Sequence, residues 1–218
     1  MEAKKEIVRI LTSGDGGWAP YDVFCDWVQM LALSISNSTD LIHGEQWRER
    51  EKEYLRLIEK YGERKDDFVA MSGYFIQALE DDVSDVLGTI YTEAGLGNKY
   101  TGQFFTPFHI SVLNAECVIP KRIDDPILLN EPSSGGGGAI IAAAKVVLER
   151  GYNPQKCLEF VAQDLDWKCV YMTYIQTSLL GLKGTVVQGD TLMEPFTDLK
   201  SYPKQRVLLT PAKKGLLI

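Results

Sequence analysis

The 218 residues are 45% hydrophobic and 24% charged, ordinary proportions for a globular chain long enough to bury a core. The net charge of −7 argues against a chain that grips duplex DNA unaided, because phosphate neutralisation by Lys and Arg supplies most of such affinity. No run approaches the roughly 18 apolar residues of a membrane span. MEAKKEIVRI lacks the apolar core of a signal peptide, and Cys25, Cys117, Cys157 and Cys169 form no CxxC pair. A cytoplasmic protein with reduced, mostly buried thiols, no structural zinc and no membrane partner is therefore expected.

In chain order, APYDVFCDWVQMLALSIS sets Val23, Trp27, Met30, Leu31 and Ser34 at helical spacing, with Pro20 suited to a first turn. GEQWREREKEYLRLIEKYG predicts a second helix closed by Gly62, and DDFVAMSGYFIQALEDD a third. The alternating charges of the second helix read as a solvated face laced with ion pairs rather than a DNA-contacting patch. From about residue 90 the texture changes to strands alternating with helices. PILLNEP, CLEFVAQDLD, GTVVQGDTL and QRVLLTPA read as strands, with AIIAAAKVVLERG and WKCVYMTYIQTSLLGL as the intervening helices. That alternation predicts an α/β fold with a parallel sheet over 91–218, preceded by a helical segment over 1–90.

Four consecutive glycines, Gly135 to Gly138, sit between the first of these strands and its helix. In α/β sheets such a turn exposes backbone N–H groups and lets a ligand come close. Ala139-Ile140 follows where a phosphate-binding loop needs Lys-Ser/Thr, and Ile140 stands where a dinucleotide fingerprint needs Gly or Ala. What remains is a carboxylate, Glu131, followed by Gly135-Gly136-Gly137. This suits a zwitterionic ligand: Glu131 can meet an ammonium and the loop amides a carboxylate. S-adenosylmethionine is one such ligand; a loop made bare only for tight packing is the alternative. Asp164, 27 residues after Gly137, ends the second strand and can accept from both hydroxyls of a ribose. Asp166 is its rival, or a helix cap. Asp190 in QGDTL can accept from an adenine amino group, with Leu192 or a neighbour such as Thr191 flanking the ring. His43 and His109 have no companion motif for a triad or a metal pair.

GNKYTGQFFTP, NEPSSGGGGAII, AQDLDWKCVYMTYIQTSLLGL and VVQGDTL together resemble the N6-adenine DNA methyltransferases, above all the modification subunits of type I restriction-modification systems and their phage or mobile-element relatives. The resemblance runs from about residue 90 to 196. It implies a Rossmann-like, S-adenosylmethionine-dependent methyltransferase sheet, incomplete at the C-terminal side. It also implies that Gln103, Phe104, Phe105 and Thr106 cover the methionine end of the cofactor. Glu131, Ser133, Gly135, Gly137, Asp164, Asp190, Thr191 and Leu192 follow as cofactor-binding residues. Ser134 stands where the family commonly has cysteine, and Gly136 where it commonly has a hydroxyl residue.

The family carries its acceptor for the target amine after a fourth strand, as Asp/Asn/Ser-Pro-Pro-Tyr/Phe, with the aromatic stacking on the flipped adenine. The corresponding stretch is Thr210-Pro211-Ala212-Lys213, so Thr210 and Pro211 are the degenerate candidates for that catalytic corner. The implied function is methyl transfer to the adenine amino group of DNA. The alternative is an inactive cofactor-binding or interaction module. DNA is expected to be met only with a partner subunit or target-recognition domain, in a homo- or hetero-oligomer.

Overall fold

The structure, a computed structural model, describes residues 2–14, 17–97, 104–200 and 202–216. Five helices come first: α1 (Glu2–Leu11), α2 (Pro20–Ser38), α3 (Glu45–Tyr61), α4 (Lys65–Asp81) and α5 (Val86–Glu93). The helix α6 (Phe108–Val118) leads into β1 (Ile127–Glu131), α7 (Gly138–Glu149), the single turn α8 (Pro154–Cys157), β2 (Leu158–Asp164), α9 (Trp167–Leu179), β3 (Lys183–Gln188) and β4 (Val207–Leu209).

The sheet order is β1-β2-β3-β4. The first three strands are parallel, with Leu129 opposite Phe160 and Phe160 opposite Gly184. Their α7 and α9 crossovers fall on one face, because parallel connections are right-handed. The fourth strand departs from the parallel expectation: it pairs antiparallel to β3, Thr185 opposite Leu209 and Val187 opposite Val207.

Alanine at positions 142–144, each 3% exposed or less, lets α7 lie close to its neighbours. Behind α9 stands α2, and behind α7 stands α6. One hydrophobic cluster runs from Ile7, Phe24, Trp27 and Phe75 in the N-terminal helices to Ile140, Phe160, Tyr174 and Val186 in the α/β part. The boundary expected near residue 90 falls inside α5, whose buried face belongs to that cluster. On the other face of the sheet, Leu128 of β1 is 78% exposed.

The charges of α3 are spent locally. Arg50 pairs with Asp40, Lys60 with Asp26 and Arg56 with Glu53. All four cysteines are free, and only Cys169 is buried. The expectation of mostly buried thiols is corrected by Cys117, which lies on the exposed side of α6. Among the described residues, no helix is long and apolar enough to cross a membrane.

Candidate functional site

Parallel strands point their C-terminal ends the same way, so β1, β2 and β3 deliver their carboxylates to one edge of the sheet. Glu131 is the last residue of β1, Asp164 the last of β2, and Asp190 follows Gln188 by two residues. The loops beyond them are tied together: the Thr191 hydroxyl donates to Pro132 O at 2.6 Å.

Each glycine of the loop is bare for a protein neighbour. A Cβ on Gly135 would stand 3.1 Å from the Phe105 ring, on Gly136 3.0 Å from Met172 Cε, on Gly137 3.2 Å from Thr173 Cα and on Gly138 3.1 Å from Asp85 Oδ2. Gly135 and Gly137 also hold φ of 53° and 90°, where side chains are rare. Close packing therefore accounts for the four-glycine run. Two of those neighbours, Phe105 and Asp85, themselves line a cleft beside the loop.

The cleft measures about 460 Å³. Phe104, Phe105 and Thr106 form one wall, Asn130, Glu131 and Ser133 another, and Gly135, Gly136, Gly138, Ala139 and Ile140 a third, with Asp85 and Ser111 also lining it. The first turn of α7 thus faces the cleft. Its leading N–H groups have no intrahelical partner, and the helix dipole adds partial positive charge there. Glu131 lines the same cleft. Burial holds its carboxyl above the usual range, the Ser133 N–H opposes this, and the Asp164 charge adds to it.

Asp164 abuts the loop. Its Oδ2 accepts from Gly135 N–H at 2.8 Å and its Oδ1 from Asp166 N–H at 3.0 Å. Two of roughly four acceptor positions remain on that carboxylate. Burial raises its pKa, the two N–H bonds oppose the rise, and the Asp166 charge reinforces it. Asp166 caps α9, accepting from Lys168 N–H at 2.8 Å. Asp190 Oδ1 accepts from Leu192 and Met193 N–H at 2.9 and 3.3 Å, and Leu192 is exposed.

The structure therefore brings Phe104, Phe105, Thr106, Glu131, Ser133 and Gly135 into one cleft and sets Asp164 against it. Asp164, Gly137, Asp190, Thr191 and Leu192 are not among the residues that line the cleft. Gln103 lies outside the described residues. His43 stacks on Trp47 at 4.4 Å.

Thr210 and Pro211 require a correction. Thr210 is fully buried and bonds to Gly184: its Oγ1 accepts the Gly184 N–H at 3.0 Å and its own N–H donates to Gly184 O at 3.1 Å. Gly184 is the second residue of β3, roughly 13 Å of strand before its C-terminal end at about 3.3 Å per residue. Pro211 is buried beside it. The antiparallel run of β4 causes this, carrying its C-terminal end away from the cleft. Lys213 is held there too, by Glu159.

Three polar residues escaped the sequence reading. Asp85 is 4% exposed, and its Oδ1 accepts from Gly88 N–H and Gln176 Nε2, both at 2.9 Å. Gln176 Nε2 also donates to Gly136 O at 2.7 Å, and the Thr173 hydroxyl donates to Gly135 O at 3.0 Å. Thr173 and Gln176 lie three apart on α9 and so share a face. The available signal was SDVLG, an acid just before an apolar run, which marks a helix N-cap.

Three parallel strands with a glycine loop at their C-terminal ends, beside a cleft lined by a helix N-terminus and a carboxylate, define a Rossmann-like α/β domain. The sequence pattern of the N-6 DNA methylase family matches residues 80–207. The match covers more than half of the chain, and the chain belongs to that family. A search of curated proteins gave no match.

Proposed function

We propose that this cleft binds S-adenosylmethionine and that the chain takes part in methylating the adenine amino group of DNA. The observation that carries the proposal is that Glu131 and the first turn of α7 line one cleft of about 460 Å³, a volume within the usual range for small-molecule sites. The donor set fits the amino-acid end of the cofactor. Glu131 accepts from its ammonium, the amides of the first turn of α7 hold its carboxylate, and Phe104, Phe105 and Thr106 cover it. The Asp164 carboxylate has acceptor capacity left for ribose hydroxyls, and Asp190 with Thr191 and Leu192 stands at the adenine end. When bound, the cofactor supplies an electrophilic methyl group on a sulfonium. The chain's own contribution is positioning, charge complementarity and exclusion of water.

A second reading draws on the position of Thr210 and Pro211. Buried against Gly184, they offer no acceptor to a target amine at the cleft. In this reading the chain supplies the cofactor half, and a partner subunit supplies target recognition and, unlike in the family's own pattern, the amine acceptor.

Calorimetric titration with S-adenosylmethionine tests the binding claim, and the expected result is saturable one-site heat. No heat rejects it. Labelled cofactor with mixed-sequence DNA separates the two readings. Label on adenine from the chain alone supports activity in this subunit, whereas label only after a partner subunit is added supports the second.

Affinity is expected to depend on pH through Glu131. Its folded pKa is raised, so the ammonium-binding anion disappears as pH falls through that raised value. Affinity should therefore weaken at a higher pH than for an ordinary carboxylate. In Glu131→Gln the remaining binding should lose this acid limb; an unchanged profile in that variant removes Glu131 from the ligand.

A further inference from the structure

We infer that α5, through Asp85, is the element that sets the shape of the glycine loop, and that Asp85 is a positioning residue of the cleft. The inference rests on the cofactor reading for its consequence, but its geometry stands apart from it. Asp85 caps α5 through Gly88 N–H, and the same Oδ1 accepts from Gln176 Nε2. Gln176 completes the bridge: its Nε2 donates to Gly136 O at 2.7 Å, and its Oε1 accepts the Leu87 N–H at 3.0 Å. One fully buried amide thus joins the start of α5, the middle of α9 and the glycine loop.

The same helix reaches the loop a second way. Tyr91, near the end of α5, packs on Phe105 with ring centroids 4.9 Å apart, and Phe105 is the group Gly135 leaves room for. Asp85 Oδ2, meanwhile, is what Gly138 leaves room for, and Gly136 also lies near it. Both ends of α5 therefore bear on the four glycines, one through a carboxylate and one through stacked rings. Glycine-rich backbone has many conformations to lose on ordering. Holding it from a packed helix leaves less of that ordering to be done when a ligand binds.

Capping and positioning are separable at Asp85. Asp85→Ser keeps a good N-cap for α5, but its side chain is too short to reach Gln176. Asp85→Asn keeps an oxygen able to accept from both Gly88 and Gln176. Hydrogen exchange read by mass spectrometry on the free protein should show residues 133–138 exchanging at least tenfold faster in Asp85→Ser, with α5, α2 and β2 unchanged. Asp85→Asn should return the loop to within about threefold of the starting protein. In calorimetry with S-adenosylhomocysteine, affinity should fall about tenfold in the serine variant and recover in the asparagine variant.

Unchanged exchange at 133–138 in Asp85→Ser overturns the inference, as does an increase shared equally by α2 and β2. If the serine variant does not fold, Gln176→Met removes the bridge from the α9 side while leaving the Asp85–Gly88 cap, and the same loop-specific exchange decides. Absence of nucleoside binding by the unaltered protein defeats the cofactor reading alone; the exchange comparison still decides the role of α5.

Discussion

Gly137→Ala is expected to lower the free energy of unfolding by about 2–5 kcal/mol, since a left-handed backbone costs a side chain about 1–2 kcal/mol and overpacking about 1–3 kcal/mol. Gly137 caps the start of α7 at φ 90°, and its missing Cβ is 3.2 Å from the Cα of Thr173. That neighbour is backbone, held in the middle of α9, so no side-chain rotation relieves the contact. Gly151, just past the end of the same helix, is the control. It has φ 82° and nothing within 4 Å, so Gly151→Ala should cost only the backbone part, about 1–2 kcal/mol. Urea unfolding followed by circular dichroism measures both. Equal losses would mean that α9 yields to the added methyl and that Gly137 is needed only for its dihedral angle.

The comparison bears on how much of the molecule can be read from its sequence. The α/β alternation was legible because its signals are local. ILLNE and LEFVAQD are short apolar runs, AIIAAAKVV is too long for a strand, and Gly151 marks the stop. The acidic strand tips were legible for the same reason, since each ends a recognisable strand. The use of each glycine was not legible. That use depends on Phe105, Met172, Thr173 and Asp85, which the chain brings to the loop from three separate elements, and no local pattern announces a contact of that range. From sequence the run reads chiefly as an approach for ligand, whereas each missing side chain makes room for a protein neighbour, two of which, Phe105 and Asp85, also line the cleft.

The direction of β4 was hidden for a related reason. VLL has the same pattern whether it runs parallel or antiparallel to β3, and the described residues between them hold only a 3-10 turn, Lys204–Arg206, with no α-helix to force a parallel return. Thr210 and Pro211 were therefore assigned to the end of the sheet they do not occupy. The α5 cap was written in the sequence as SDVLG, but its partner Gln176 lies 91 residues away.

The second large effect is expected at Asp164, where Asp164→Ala should weaken S-adenosylmethionine binding by about 1.5–3 kcal/mol, the range for hydrogen bonds to a charged group. The free protein explains why the loss is not limited to ligand contacts. Asp164 holds Gly135 N–H and Asp166 N–H, so removing it also frees the first glycine of the loop and the turn that leads to the Asp166 cap of α9. Asp164→Asn separates these roles. It preserves shape and one acceptor oxygen but turns an amide toward one of the two N–H donors, and it removes the charge. Binding should be intermediate if the charge matters to ribose hydroxyls, and as weak as in alanine if the two backbone bonds matter more. The charge also has a pH signature, because burial raises the pKa of Asp164 and the neighbouring Asp166 charge adds to the rise. A carboxyl whose folded pKa is raised is disfavoured as an anion. Relative to Asp164→Asn, the unliganded protein should therefore lose stability as pH climbs from the ordinary carboxylate range through the raised value, then level off. A ligand that donates hydrogen bonds to the anion offsets that loss, so the stabilisation it brings should grow over the same interval. Thermal shifts measured with and without S-adenosylmethionine across that range read the effect directly. A shift that does not change with pH, or Asp164→Ala binding as tightly as the starting protein, removes Asp164 from the site.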